Sequence, residues 1–210
     1  MKFFGGILLP VAILLGINVT WIYARRHRDP ATDRLPITLY YEALCPYCMQ
    51  FMTQQLYPSM KDRLPYTQLT LVPYGNARAD KHGKITCQHG TNECELNAWH
   101  ACILEHHDIE TALKLISCMM RSRKNKLEIC ANRYQINIGD VKLCKKERTV
   151  DEILSKYGKE TDKVPHQGVP AIAVDNHLDF DDQENLNDHF DSTFCSKYQA
   201  KFNKILKNCQ

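Results

Sequence analysis

The sequence predicts a mixed α/β fold that carries a long, cysteine-rich helical insertion. A strand pattern at 37–41 is followed by a helical segment that ends at about Tyr57, before Pro58, and by a second strand pattern at 69–74. The next stretch, about 75–157, is mostly helical in pattern and holds six of the ten cysteines. After it the predicted order is strand, turn, strand and helix.

Each predicted strand is identified by its residue types, and the turn between the last two by its dipeptide. Residues 37–41 alternate β-branched and aromatic side chains, and 169–174 is a short apolar run with β-branched members. Asp175-Asn176 directly after that run favours a hairpin turn. The tail from Gln183 has helical spacing. Its late apolar stripe, predicted to lie in the core, consists of Tyr198, Phe202 and Leu206.

Length and composition indicate a folded chain with an unusual number of cysteines. The 210 residues suffice for one domain, and 44% hydrophobic with 24% charged residues argue against a disordered or fibrous protein. The 27 basic and 24 acidic residues give a net charge of +3, which is too small to predict a nucleic-acid partner. Ten cysteines favour an oxidising compartment over the cytosol.

The N-terminal segment 1–24 has the pattern of a secretory signal peptide. Lys2 precedes a long apolar run that ends at Ala24, and three arginines follow. The alternative is an uncleaved signal anchor, because about twenty apolar residues can span a bilayer. Only that alternative would bring the protein to a membrane. The charged, proline-containing residues 25–36 are predicted to be a linker, and the domain is predicted to cover 37–210.

The motif Cys45-Pro46-Tyr47-Cys48 lies between a predicted strand and a predicted helix. Unpaired backbone N–H groups at a helix start stabilise a thiolate, and proline fits the first helical turn. We therefore predict that Cys45 is the attacking thiolate and Cys48 the resolving thiol. The motif alone is also compatible with half of a zinc site or a structural cysteine pair. The other cysteines and histidines lack the tight spacing of zinc ligands, so we predict no metal ion and no cofactor.

A Val-Pro pair at the start of the last apolar run forms the second part of the predicted redox site. In thioredoxin-like folds a cis-proline begins the strand that faces the CxxC motif. The preceding backbone is then free to pair with a substrate. A valine and proline in this position also fit the start of an ordinary strand. Together with the upstream CxxC motif, they favour a thioredoxin-like fold in which the Val169–Pro170 bond is cis and lies against the cysteine pair. Val169 and Pro170 are then predicted to bind the substrate.

A longer motif lies at the start of the helical insertion. It consists of Cys87-Gln88-His89-Gly90, Glu93-Cys94, Asn97 and Cys102. This spacing matches the signature of the gamma-interferon-inducible lysosomal thiol reductase (GILT) family, which the chain resembles over about 37–195. The resemblance implies a thioredoxin-like fold with a disulfide-rich helical insertion between the second strand and the cis-proline strand. It also implies reduction of protein disulfides in an acidic endosomal or lysosomal lumen, with the redox pair at Cys45 and Cys48.

The eight other cysteines form an even set, which predicts four structural disulfides whose pairing the sequence leaves open. They are Cys87, Cys94, Cys102, Cys118, Cys130, Cys144, Cys195 and Cys209. Glu93 and Asn97 are expected to cap or brace the helical insertion, and His89 is expected to shape a turn. A titrating role for His89 is the alternative, since histidine changes its charge near endosomal pH.

These features predict a thiol-disulfide reductase of the secretory pathway, either secreted or in the endosomal or lysosomal lumen. Its expected partners are disulfide-bonded protein substrates and a small-thiol or protein electron donor. An oxidase or isomerase on the same scaffold is one alternative, because CxxC chemistry runs in either direction according to its potential. A saposin-like lipid-binding module with purely structural cysteines is another, although it leaves the predicted strands unexplained.

Overall fold

A computed structural model describes residues 33–209 of the protein. The predictions for 1–32, which include the signal peptide or anchor and most of the linker, lie outside this part. The elements in chain order are β1 (Leu35–Tyr41), α1 (Pro46–Gln50), a π-helical segment (Phe51–Leu56), α2 (Tyr57–Arg63), a 3₁₀ turn (Leu64–Tyr66), β2 (Thr67–Pro73), β3 (Arg78–Ala79), β4 (Ile85–Thr86), α3 (Thr91–His106), α4 (Ile109–Met119), α5 (Leu127–Tyr134), α6 (Gly139–Glu147), α7 (Val150–Thr161), β5 (Ala171–Val174), α8 (Gln183–Asp188) and α9 (Phe190–Phe202).

The main sheet has three strands in the order β2, β1, β5. The central strand β1 pairs parallel with β2 and antiparallel with β5. Its first residue, Leu35, belongs to the stretch that the sequence predicts as linker. Tyr40 and Tyr41 at its end are buried, as expected for a central strand covered on both faces. The chain after Tyr41 therefore leaves the sheet at the end of its central strand, and the CxxC motif begins there.

The helix after the CxxC motif is longer than the sequence predicts. Pro58 was expected to end it, but the chain stays helical to Arg63. A proline has no N–H to donate to the carbonyl four residues earlier, and its ring crowds that carbonyl. The turn before Pro58 is widened instead, and the Tyr57 N–H donates to the Met52 carbonyl, five residues back. The proline therefore widens the helix without ending it.

The predicted helical insertion is present, but its first part is not helical. Residues 75–90 form turns and the small hairpin β3–β4, and the five helices α3 to α7 follow over 91–161. Gly90 has a φ of 85°, a left-handed conformation outside the helical region, and α3 starts directly after it. The long helix α3 packs against α4, α6, α7 and β2. The insertion is thereby attached to the sheet through α3 and α7.

The edge of the sheet beside β5 differs from the prediction. The predicted turn at 175–176 exists, and Val174 and His177 exchange backbone hydrogen bonds of 2.9 and 3.0 Å across it. The strand expected after the turn is reduced to this single bridge. The Gln183 side chain takes its place: its amide accepts from the Ile172 N–H and donates to the Ile172 carbonyl, both at 2.9 Å. A side chain thus forms the hydrogen bonds to β5 that the backbone of a fourth strand would otherwise have formed.

The C-terminal helix α9 closes the core with a row of aromatic rings. Phe190, Phe194 and Tyr198 are buried at successive helical turns, and neighbouring ring centroids are 6.2 and 6.0 Å apart. Of the predicted stripe, Tyr198 and Leu206 lie in the core, whereas Phe202 is only partly buried. Among residues 33–209, none of the helices is both long and apolar enough to cross a membrane.

Candidate active site at the CxxC turn

The CxxC motif lies where the turn after β1 enters helix α1. Cys45 is the residue before α1, Pro46 occupies its first turn, and Cys48 lies within the helix. The two cysteine residues are 6% and 0% exposed, respectively. They are the two free thiols of the described chain. Local sequence explains the arrangement, because proline suits the start of a helix but contributes no N–H there.

The eight other cysteines form four disulfides. The pairs are Cys87–Cys94, Cys102–Cys144, Cys118–Cys130 and Cys195–Cys209. Three of them lie in or next to the insertion, and the fourth joins α9 to the C-terminal segment. The sequence predicts that these eight cysteines form four disulfides, and the structure supplies the pairing.

The environment of Cys45 favours its thiolate. The largest contribution is a hydrogen bond from the Cys48 thiol, followed in the same direction by the backbone N–H groups of Cys48 and Tyr47 and by the charge of His89. Burial acts in the opposite direction, but the donors outweigh it and the pKa of Cys45 falls to about 6. This is the effect expected of a sulfur at a helix N-terminus.

Cys48 has the opposite character. Burial, followed by its hydrogen bond to Cys45 and the charge of that thiolate, raises the pKa of Cys48 well above its ordinary value. The Glu42 N–H donates weakly to the Cys48 sulfur at 3.5 Å, and the Glu42 carboxylate adds to the rise in pKa. In the reduced protein the first proton to leave the pair is therefore that of Cys45.

The Val-Pro segment lies against the first cysteine. The Val169–Pro170 peptide bond is cis, as predicted, and the Cys45 thiol donates to the Val169 carbonyl at 3.6 Å. A groove of about 500 Å³ extends from this contact, with Pro170 in its lining. Tyr47 and Phe180 also line it and are 73% and 46% exposed, which is unusual for large aromatic side chains. A groove with exposed aromatic rings can accept an apolar part of a polypeptide.

Two residues of the long motif bind the turn that carries Cys45. On α3, the Asn97 side-chain oxygen accepts the Ala43 N–H at 2.9 Å, and Glu93 Oε2 accepts the Leu44 N–H at 3.3 Å. Both acceptor residues are fully buried. The sequence led us to expect that Glu93 and Asn97 brace the insertion. Their contacts instead join the insertion to the reactive turn, because buried N–H groups of that turn need acceptors.

Glu42 is a further residue of the site, and no motif in the sequence predicts it. Its carboxylate is completely buried, and Oε1 accepts the Asn76 N–H at 2.7 Å. Burial and the neighbouring charge of Glu93 raise the pKa of Glu42 to about 7. Gly75 has a φ of 60°, and a Cβ there would lie 2.3 Å from Glu42 Cγ, so glycine is required beside this carboxylate. The available sequence signal was an acidic residue between a buried strand and the CxxC motif.

His89 completes the group around Glu42. Its backbone N–H donates to Glu93 Oε1 at 2.9 Å, and its ring Nδ1 lies 2.7 Å from Glu93 Oε2 and 3.4 Å from Glu42 Oε2. Besides shaping a turn, His89 is thus the basic side chain that faces both buried carboxylates. The disulfide Cys87–Cys94 encloses it in a short loop.

The chain matches known proteins over most of its length. The family model described as gamma interferon inducible lysosomal thiol reductase (GILT) matches residues 36–134. The chain is 64% identical over 205 residues to GILT-like protein 2 of Drosophila melanogaster, covering 95% of this chain and 97% of that protein. It is 31% identical over 180 residues to the gamma-interferon-inducible lysosomal thiol reductase of Mus musculus, covering 81% and 71%.

A solved structure shows the fold. The crystal structure of Chlamydia trachomatis DsbA superimposes with a TM-score of 0.55 at 17% sequence identity, covering 84% of this chain and 91% of that one. The mixed sheet and this likeness confirm the thioredoxin-like fold with a helical insertion and exclude the saposin-like alternative. The chain belongs to the gamma-interferon-inducible lysosomal thiol reductase family, and it is a thiol-disulfide oxidoreductase.

Proposed function

We propose that this protein reduces protein disulfides, with Cys45 as the nucleophile and Cys48 as the resolving thiol. The observation that carries the proposal is the opposite shift of the two pKa values within one buried pair. Cys45 is stabilised as a thiolate and has a pKa of about 6, whereas the pKa of Cys48 lies well above its ordinary value. One sulfur is thus ready to attack and the other is kept as a thiol until the second step.

The reaction balances without a cofactor. The Cys45 thiolate attacks one sulfur of a substrate disulfide, a mixed disulfide forms, and the first substrate sulfur leaves as a thiolate that takes up a proton. Cys48 then loses its proton and attacks the Cys45 sulfur, which releases the second substrate sulfur. The substrate gains two electrons and two protons, and the protein ends with a Cys45–Cys48 disulfide. A small thiol or a protein dithiol restores the reduced pair.

The groove beside Val169 supports a polypeptide substrate. Val169 and Pro170 line the groove, and the Val169 carbonyl accepts from the Cys45 thiol, so a substrate disulfide bound in the groove would lie near the Cys45 sulfur. The Gln183 side chain already bonds the N–H and the carbonyl of Ile172. An extended substrate would therefore pair with the backbone near Val169 instead. The exposed rings of the groove would pack on its apolar residues.

The pKa of Cys45 favours reduction over oxidation. A strongly stabilised thiolate makes a dithiol a poor reductant, as in DsbA with a cysteine pKa of about 3.5, whereas thioredoxin has about 7. The value of about 6 lies nearer to that of thioredoxin. The matching family and the Mus musculus relative are both described as thiol reductases, which supports the same direction.

An acidic lumen of the secretory or endolysosomal pathway suits this site. A cysteine with a pKa near 6 is about one tenth thiolate at pH 5, compared with roughly 0.03% for an ordinary cysteine. Four disulfides fit an oxidising compartment. The sequence of residues 1–24 provides the secretion signal in this proposal.

A disulfide-reduction assay tests the proposal. The purified protein, with a thiol donor, should reduce a disulfide-bonded protein at pH 5 and at pH 7, and Cys45→Ser should have no activity. The reduction potential of the pair decides the direction. A value near −120 mV, together with faster oxidation of reduced proteins than reduction of oxidised ones, would identify an oxidase instead.

A further inference from the structure

Two buried carboxylates and one imidazole converge behind the CxxC turn, and the proposed thiol-disulfide exchange assigns them no chemical step. The cluster consists of Glu42, His89 and Glu93, and one ligand atom of each lies within 4.8 Å of the other two. The side chains of Glu42 and Glu93 are completely buried, whereas that of His89 is 27% exposed. The cluster is therefore open to solvent on the His89 side.

The carboxylate oxygens have separate roles. Oε1 of each is held by a backbone N–H: that of Asn76 for Glu42, at 2.7 Å, and that of His89 for Glu93, at 2.9 Å. Both Oε2 atoms face His89 Nδ1, and Glu93 Oε2 also accepts the Leu44 N–H. Glu42 Oε2 is buried without a hydrogen-bond partner. An acceptor in that position normally has a donor or a cation beside it.

When both carboxylates are ionised, the charges of the cluster do not cancel. Within the described part of the chain, His89 is the one basic side chain that pairs with either carboxylate. An imidazole carries at most one positive charge, and two ionised carboxylates at this separation repel each other at low dielectric. The remaining negative charge favours a positive ligand between the three side chains.

We propose that Glu42, His89 and Glu93 bind one divalent transition-metal ion, with Zn²⁺ as the best match. Zinc accepts imidazole nitrogen and carboxylate oxygen at about 2.0–2.2 Å, whereas Mg²⁺ and Ca²⁺ prefer oxygen alone. Tetrahedral ligands at such bond lengths are about 3.3 Å apart. The His89 Nδ1–Glu42 Oε2 separation of 3.4 Å matches that spacing, whereas the 2.7 Å hydrogen bond between His89 Nδ1 and Glu93 Oε2 would lengthen when a metal ion replaces its proton. Spacing in the sequence does not predict this site because Glu42 comes from a distant segment.

Protons compete with the metal ion for these atoms. The titratable groups that face Glu42 are Glu93 and His89 from the insertion and Cys45 and Cys48 from the start of α1. Burial first, and then the charges of Glu93 and Cys45, give Glu42 its high affinity for a proton. A metal ion must displace protons from its ligands, so its binding weakens as the pH falls.

Calorimetric titration of Zn²⁺ into the untagged full chain tests the proposal. The protein is first oxidised so that Cys45 and Cys48 form a disulfide and supply no thiol ligand. We expect one ion per chain at pH 7.5 and at least about tenfold weaker binding at pH 5.5. Glu42→Gln and His89→Gln should each weaken binding by at least about tenfold. His82→Gln removes an exposed histidine in the turn between β3 and β4, outside this cluster, and should change nothing.

A second measurement needs no variant. Bound Zn²⁺ should raise the thermal unfolding midpoint of the oxidised protein at pH 7.5 and have little effect at pH 5.5. Absence of binding, or binding that both ligand variants retain at full strength, overturns the proposal; the second result would indicate adventitious surface histidines. Because the oxidised protein is used, neither result depends on whether the protein is a reductase.

Discussion

The sheet region and the helical insertion use their cysteines in opposite ways. The sheet region, with β1, β2, β5 and α1, holds Cys45 and Cys48, which are both free. The segment 75–161 holds six cysteines, and all are in disulfides. A disulfide in the insertion restricts the unfolded chain and so stabilises the fold, whereas a reactive thiol must remain able to exchange. The two tasks are carried out by separate parts of the chain.

The two regions meet at the reactive turn. Ala43 and Leu44, just before Cys45, donate their N–H groups to Asn97 and Glu93 of helix α3. The insertion is therefore more than a support beside the redox site. Helix α3, which carries two disulfide-bonded cysteines, provides hydrogen-bond acceptors for N–H groups of the turn that the sheet does not bond. Substitutions on either side of this contact can test it.

Removing the thiols of the sheet region should have the largest effect. Cys45→Ser abolishes the attack and should leave no measurable reduction, whereas Cys48→Ser stops the reaction after the first step and should accumulate mixed disulfides with substrates. Non-reducing gels and mass spectrometry detect these adducts. Both variants should keep the four disulfides of the parent protein. Adducts on the Cys45→Ser protein would show that the two roles are reversed.

Ionisation of Cys45 should make the stability of the reduced protein depend on pH. Its folded pKa of about 6 is below the ordinary value of about 8.5, so this stabilisation is fully present above about pH 8.5 and is lost as the pH falls through about 6. The oxidised protein has no such group. The free energy of unfolding of the reduced form, relative to the oxidised form, should therefore rise between about pH 6 and 8.5. A difference independent of pH would contradict the low pKa.

Breaking the contact between the regions should cost stability. Asn97→Ala leaves the buried Ala43 N–H without an acceptor, which we expect to lower the free energy of unfolding by about 1–3 kcal/mol. Asn92→Ala on the same helix is the matched control: Asn92 is exposed and its hydrogen bond to the Arg123 carbonyl is open to solvent, so the change should stay within about 0.5 kcal/mol. Denaturant titration of both oxidised proteins makes the comparison. Equal effects would mean that α3 does not hold the turn.

The smallest effect is expected from removing the positive charge of His89, a residue of the insertion that stabilises the Cys45 thiolate. His89 makes the smallest of the contributions that lower the Cys45 pKa, so His89→Gln should raise that pKa only slightly. The rate of Cys45 alkylation by iodoacetamide as a function of pH measures it. His106→Gln is the control and should leave the curve in place. An unchanged curve for His89→Gln would assign the low pKa to the Cys48 thiol and the backbone N–H groups at the helix start.

Local sequence patterns determined much of this protein. The strand before the CxxC motif, the helix after it and the cis-proline directly before β5 follow from residue types and from features within a few residues of each other. The even number of remaining cysteines indicated disulfides, and the spacing of the long motif indicated the family. Such patterns report burial and backbone preference, which depend on neighbours in the chain.

Only the tertiary structure decided which distant groups meet. The four disulfide pairings, the role of Gln183 at the sheet edge and the binding of Ala43 by Asn97 join residues whose sequence neighbours do not specify the partner. Glu42 is the clearest case, since it looks like an ordinary acidic residue until the fold buries it beside Glu93 and His89. Burial then removes water, and the nearest charges, which come from another region of the chain, determine its chemistry.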